Sequence, residues 1–114
     1  MAKIRFGTDG WRAQIADDYT FDNVRVCAQS VARYLLQRKT APQGLVVGYD
    51  TRFLSDRFAA AVSEVLAGNG IRSYLCSRPA PTPTVSFAIL ERKAAGAAMI
   101  TASHNPYIWN GFKY

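Results

Sequence analysis

Leu45-Val46-Val47-Gly48-Tyr49 is an apolar run closed by Asp50, with Pro42 and Gly44 marking a turn ahead of it. A short apolar run bounded by turn residues reads as a buried strand. The segments around it alternate with it in kind. Upstream, Thr20 is placed to cap a helix in which Val24, Cys27, Ala28, Val31, Tyr34 and Leu35 recur at helical spacing. Further upstream, Lys3–Phe6 reads as a short strand followed by a loop containing Gly7 and Gly10. Downstream, Ser55 is placed to cap a helix with the stripe Phe58, Val62, Val65 and Leu66, which Gly68 or Gly70 ends. Ile71–Cys76 is the next strand, and Pro79, Pro81 and Pro83 stiffen the connection after it. Pro83 suits the first turn of a helix capped by Thr82, with Val85, Ala88 and Ile89 facing inward. Gly96–Ile100 is a strand of mostly small residues. The alternation predicts an α/β fold: a three-layer α/β/α sandwich with a mainly parallel (mixed) sheet of about four strands.

Composition narrows the class. The 114 residues (12.6 kDa) are 49% hydrophobic and 19% charged, a globular balance sized for one domain at most. No uncharged apolar run reaches the roughly 18 residues that span a bilayer. The N-terminus lacks the apolar stretch of a secretion signal, so a cytoplasmic location is the expectation. Cys27 and Cys76 lie far apart and form no metal-type pair; they read as reduced, buried small hydrophobes. The formal charge is +6, with ten arginines among the 14 basic residues. Arginine suits phosphate, so an anionic partner fits. The basic residues are dispersed without a block, which argues against nucleic acid as that partner.

In an open α/β sheet, ligands sit at the carboxyl ends of the strands. Three segments leave those ends: Asp50-Thr51-Arg52, Pro79–Pro83 and Ser103–Lys113. Ser103 follows a strand beside His104, the single histidine. Adjacent residues of an extended segment point to opposite sides, which disfavours a hydrolase-type Ser–His pair, and no Gly-x-Ser-x-Gly elbow is present. Two readings of Thr101–Pro106 stand. One is a polar turn. In the other, Ser103 carries phosphate, with Arg12, Arg52, Lys113 and the loop amides as its neutralising neighbours. The acidic residues contain no Asp-x-Asp cluster, so a complete metal site is not encoded in the chain.

Gly7-Thr8-Asp9-Gly10-Trp11-Arg12, Tyr49-Asp50-Thr51-Arg52 and Thr101-Ala102-Ser103-His104-Asn105-Pro106 occur in the order found in α-D-phosphohexomutases, and the stretch from Tyr107 to Lys113 extends the match. The chain thus resembles that family of phosphoglucomutases and phosphomannomutases. The resemblance implies that residues 1–114 are the N-terminal part of the first of four domains, the domain bearing the catalytic serine. It implies that Ser103 carries a phosphoryl group to one hydroxyl of a hexose phosphate and recovers the other phosphate from the bisphosphorylated sugar. Mg²⁺ is implied as cofactor, bound through the phosphate on Ser103, with its other ligands in a missing domain. His104 and Lys113 match positions for proton transfer and charge stabilisation, and Arg12 matches an arginine of the active cleft. Arg12, Arg52 and Asn105 are the expected phosphate- or substrate-binding residues. For Arg52 an alternative stays open, in which an Asp50–Arg52 pair braces the loop. The implied partners are the hexose phosphate and the remaining domains of the same enzyme, with neither nucleic acid nor membrane. Alone, the chain is expected to be inactive; a non-catalytic sugar-phosphate-binding domain on the same scaffold is the alternative.

Overall fold

A computed structural model describes residues 4–7 and 10–114. Its elements run β1 (Trp11–Gln14), α1 (Phe21–Gln37), β2 (Leu45–Tyr49), α2 (Ser55–Gly68), β3 (Ser73–Leu75), α3 (Thr82–Arg92), β4 (Ala97–Ile100) and β5 (Trp109–Lys113). The five strands form one sheet in the order β1-β5-β4-β2-β3. β2 pairs in parallel with β3 and β4, while β5 runs antiparallel to both β4 and β1.

The three-layer α/β/α sandwich is therefore as expected, but the sheet has five strands where about four were predicted, and only half of its pairings are parallel. The two added strands are β1 and β5. Both sit in stretches that read as loops because they carry Arg12, Asn110 and Gly111 among their few apolar residues. The strand predicted at Lys3–Phe6 is not there: residues 4–6 have no regular structure, and Lys3 lies outside the described residues. β3 is shorter than its predicted span, although Ile71 is still buried in the core.

Alternation along β2 divides the core. Leu45, Val47 and Tyr49 face the side covered by α1 and α2, together with Ala98, Ile100 and Phe112. Val46 and Met99 face α3, where Val85 packs on them. Gly48 lies directly beneath that helix, and a Cβ there would fall 2.5 Å from Cγ2 of Val85, so only glycine lets α3 approach this closely. On the other face, Trp11 stacks on Tyr19 (centroids 4.9 Å apart) and Tyr19 meets Phe58 edge-on (4.8 Å). This aromatic column ties β1 to α2. The buried Tyr19 hydroxyl donates to the carbonyl of Gly111 at 2.7 Å, fixing β5 from below. Burial raises the Tyr19 pKa well above its ordinary value, so the proton needed for that bond is retained.

Helix starts follow the expectation in one case out of three. The Thr20 side chain accepts from the amide of Asn23 at 3.2 Å. Thr20→Ala is expected to destabilise the chain by about 1 kcal/mol, read as a lower denaturation midpoint; an unchanged midpoint would show that this cap contributes nothing. Ser55 caps nothing, because its hydroxyl is turned to Asp50 and Leu54 takes the cap position with φ 63°. Thr82 is the first residue of α3, and Pro81 precedes it as the cap. Cys27 is buried, with its thiol pushed up to about 12 by desolvation; Cys76 is half-buried, and both are free.

Candidate functional site

β4 ends at Ile100 and the chain turns before returning as β5, so the 101–108 loop stands at the carboxyl edge of the sheet. Asp50, leaving β2 on the same edge, donates its amide to the carbonyl of Ile100 at 3.1 Å. Between the two strand ends lies a cavity of about 580 Å³ lined by Asp50, Thr51, Arg52, Phe53, Thr101, Ser103, Asn105 and Tyr107. The edge identified by fold logic thus does hold a concave site.

Ser103 is exposed at the rim of this cavity and has φ 53°, the left-handed region that a non-glycine residue rarely occupies. Its amide donates to the hydroxyl of Thr101 at 3.1 Å. Ser103 and His104 form a turn, whereas an extended segment was expected. His104 is exposed, and no hydrogen bond joins it to Ser103 among the described residues. A strained, outward serine without a paired base suits a group carrier better than a hydrolytic nucleophile.

The other predicted site residues divide into two sets. Arg12 reaches the loop from β1: its Nη1 donates to Oδ1 of Asn105 at 2.8 Å, so both are held at the site. Arg12 pairs with Gly111, and Lys113 pairs with Met99, which places Arg12 and Lys113 on the same face of the sheet as diagonal neighbours. That is the α3 face. Arg12, Lys113 and His104 do not themselves line the Ser103 cavity, Arg12 meeting it only through Asn105; Lys113 lines two others, toward Tyr114.

Arg52 occupies the centre of the loop. Its side chain is only 12% exposed and its Nε donates to Oδ2 of Asp50 at 3.2 Å. Its two terminal nitrogens donate to the carbonyls of Ser103, Asn105, Pro106 and Trp109. Asp50 in turn accepts from the Arg52 amide and from the Ser55 hydroxyl, and Ser55 accepts from the buried Asn110 at 2.9 Å. Sequence reading found the Asp50–Arg52 pair but missed Ser55 and Asn110. The signal available was two polar residues at positions that strand and helix spacing would bury.

No group of three or more His, Cys, Asp or Glu side chains that could hold a metal ion occurs among the described residues. Asp50, the carboxylate lining the cavity, is already engaged by Arg52 and Ser55. These residues by themselves do not fit a Mg²⁺ site. No helix among the described residues is long and apolar enough to cross a membrane.

Residues 3–114 match the family described as "Phosphoglucomutase/phosphomannomutase, alpha/beta/alpha domain I". Among curated relatives, a Schizosaccharomyces pombe protein named "Probable phosphoribomutase" is 39% identical over 97% of this chain. A "Phosphoglucomutase" of Staphylococcus haemolyticus is 36% identical, again over 97% of this chain. The chain spans 20% and 21% of those two proteins, about a fifth of their length. The crystal structure of a "putative phosphomannomutase" from Thermus thermophilus superposes with a TM-score of 0.93 at 50% identity, covering 98% of this chain and 25% of that one.

Proposed function

This chain belongs to the phosphoglucomutase/phosphomannomutase family as domain I, and on that premise we propose that it supplies the phosphoserine of a sugar-phosphate mutase. The observation that carries the reading is Ser103, exposed and left-handed at the edge of a cavity of about 580 Å³. In the proposed reaction, the Oγ–P bond of phosphorylated Ser103 breaks as a sugar hydroxyl oxygen bonds to phosphorus. The hydroxyl proton leaves to a base, the freed Ser103 oxygen takes up a proton, and a bisphosphorylated sugar results. That sugar turns over in the site, and its other phosphate returns to Ser103 by the reverse chemistry. Hexose 1-phosphate and hexose 6-phosphate are the proposed pair; the name of the fission-yeast relative makes a pentose phosphate the second substrate to try.

Phosphoryl transfer depends mainly on positioning and on charge stabilisation. Arg12, steered to the loop by Asn105, is the proposed cation next to the transferring group. Lys113, on the same sheet face, and His104, exposed on the loop next to Ser103, are the proposed aids to charge and proton transfer. Mg²⁺ would supply further charge neutralisation at the phosphoserine, with its carboxylate ligands drawn from beyond these residues. The proposed partners are the sugar phosphate and further domains of the same enzyme, in a cytoplasmic setting.

The test is the intact mass of the mutase that contains this chain, before and after addition of glucose 1-phosphate or ribose 1-phosphate. The phosphoenzyme is expected to lose the mass of one phosphoryl group while a bisphosphorylated sugar appears. An unchanged mass with tight sugar-phosphate binding would instead indicate a non-catalytic binding domain. The 114-residue chain alone is expected to give no mutase turnover; substantial turnover would contradict the division of labour proposed between domains.

A further inference from the structure

Arg52 was expected among the phosphate-binding cations, yet its donors are all committed elsewhere. A guanidinium carries five N–H groups. Here Nε donates to Asp50 at 3.2 Å, one terminal nitrogen to the carbonyls of Pro106 (2.9 Å) and Trp109 (3.1 Å), and the other to those of Ser103 (2.7 Å) and Asn105 (2.8 Å). Five donors meet five acceptors. None is left for a phosphate, and the side chain is mostly buried.

We propose that Arg52 is a positioning residue: it folds the 103–109 loop around one buried cation, holds Ser103 in its left-handed conformation, and binds no substrate phosphate. Two observations besides the saturation support this. The carbonyls come from both limbs of the loop, so a single group closes it across its width. Arg52 is itself anchored, since Asp50 is held by Ser55 and Ser55 by Asn110 of β5, the strand into which the loop runs. The anchor and the loop therefore share one rigid base.

The arrangement has an electrostatic consequence at Ser103. In a trans peptide the N–H points opposite to the C=O. Drawing the carbonyls of Ser103 and Pro106 onto Arg52 turns the amides of His104 and Tyr107 away from it, and among the described residues neither amide has an acceptor. Arg52 thus withdraws negative carbonyl oxygens from the loop's outer side and leaves donors facing outward. A phosphate dianion on Ser103 needs such a surface.

The consequence for turnover rests on Ser103 being the phosphoryl carrier, but the loop geometry does not, and the experiment separates the two. In the first arm, amide hydrogen exchange is compared for wild type, Arg52→Lys and Arg52→Gln. A lysine cannot reach four carbonyls from one ammonium, so exchange of the two hydrogen-bonded loop amides, Asn105 and Trp109, is expected to accelerate in both variants while the sheet stays protected. In the mutase, the same variants are expected to lose about 100-fold in kcat with KM changed less than about threefold, as for a misplaced reacting group. In the second arm, the Arg52 Nε–H resonance of the wild-type chain is followed while inorganic phosphate is added, and it is expected to stay in place. Unaltered loop exchange in the variants with a large rise in KM, or a saturable phosphate-induced shift of Arg52 Nε–H, would overturn the proposal. The second arm needs no variant to fold and no activity, so it stands even if Ser103 is not the carrier.

Discussion

Ser103→Ala in the mutase containing this chain is expected to abolish phosphoenzyme formation and to reduce turnover by roughly 10⁴- to 10⁶-fold, the range seen when a covalent nucleophile is removed. The expectation is large because, in the proposed reaction, the hydroxyl oxygen forms a bond in every cycle. No neighbouring side chain offers a replacement in the same place: Thr101 lies two residues back with its hydroxyl accepting from the Ser103 amide. The substitution is also clean. Ser103 is exposed, and its hydroxyl makes no hydrogen bond among the described residues, so the fold loses nothing with it. Alanine carries the same cost as serine of a left-handed backbone, since both bear a Cβ. The thermal midpoint is therefore expected to stay within about 0.5 kcal/mol of wild type in free-energy terms. A variant that still incorporates labelled phosphate would assign the chemistry to another residue.

Gly111→Ala is expected to have a large effect on stability. Gly111 lies in β5 between β4 and β1, the strands that flank it. A Cβ built there would meet the carbonyl oxygen of Thr101 at 2.5 Å and that of Trp11 at 2.8 Å, with Cγ of Arg12 at 3.0 Å. The two closest obstacles are backbone, so no rotamer change relieves them. Either β5 shifts, or the turn after β4 and strand β1 move apart. A shift would also disturb the Thr101 amide bond to the Gly111 carbonyl and the Tyr19 hydroxyl bond to the same oxygen. Overpacking of this kind costs about 3 kcal/mol or more. For a chain of this size that lowers the melting temperature by roughly 10 °C or more. Gly68→Ala is the matched control: it ends α2, and a Cβ there has nothing within 4 Å. It is expected to be neutral or stabilising by up to about 1 kcal/mol. Equal effects from the two substitutions would show that the close approach around Gly111 does not limit the fold.

The parts of the fold that were legible in the sequence are those set by local pattern. The apolar run at Leu45–Tyr49, the helical spacing from Val24 to Leu35 and the Thr20 cap each place their own signal within a few residues. β1 and β5 carry no such signal. Trp11–Gln14 is four residues long with an arginine inside, and Trp109–Lys113 contains a buried asparagine and a glycine. Their pairing joins residues about a hundred positions apart, a relation that periodicity within either strand does not encode. The same holds at the site. The motif around Ser103 was visible, and so was the Asp50–Arg52 pair. The acceptors that decide what Arg52 does are backbone carbonyls, which every residue has and no sequence pattern marks. The left-handed backbone at Ser103 was hidden for a similar reason: it is imposed by the surrounding loop on a residue type that does not favour it.

The central claim is that Ser103 bears the phosphate, and the most direct measurement is to locate that phosphate by fragmentation mass spectrometry. The mutase is incubated with a hexose bisphosphate and digested with trypsin. The peptide of residues 94–113 contains Thr101, Ser103 and Tyr107 as its hydroxyl-bearing side chains. A single phosphate is expected on Ser103, and it is expected to disappear when sugar monophosphate is added. A phosphate that resides on Thr101, on Tyr107 or on a different peptide, and that turns over with substrate, would contradict it.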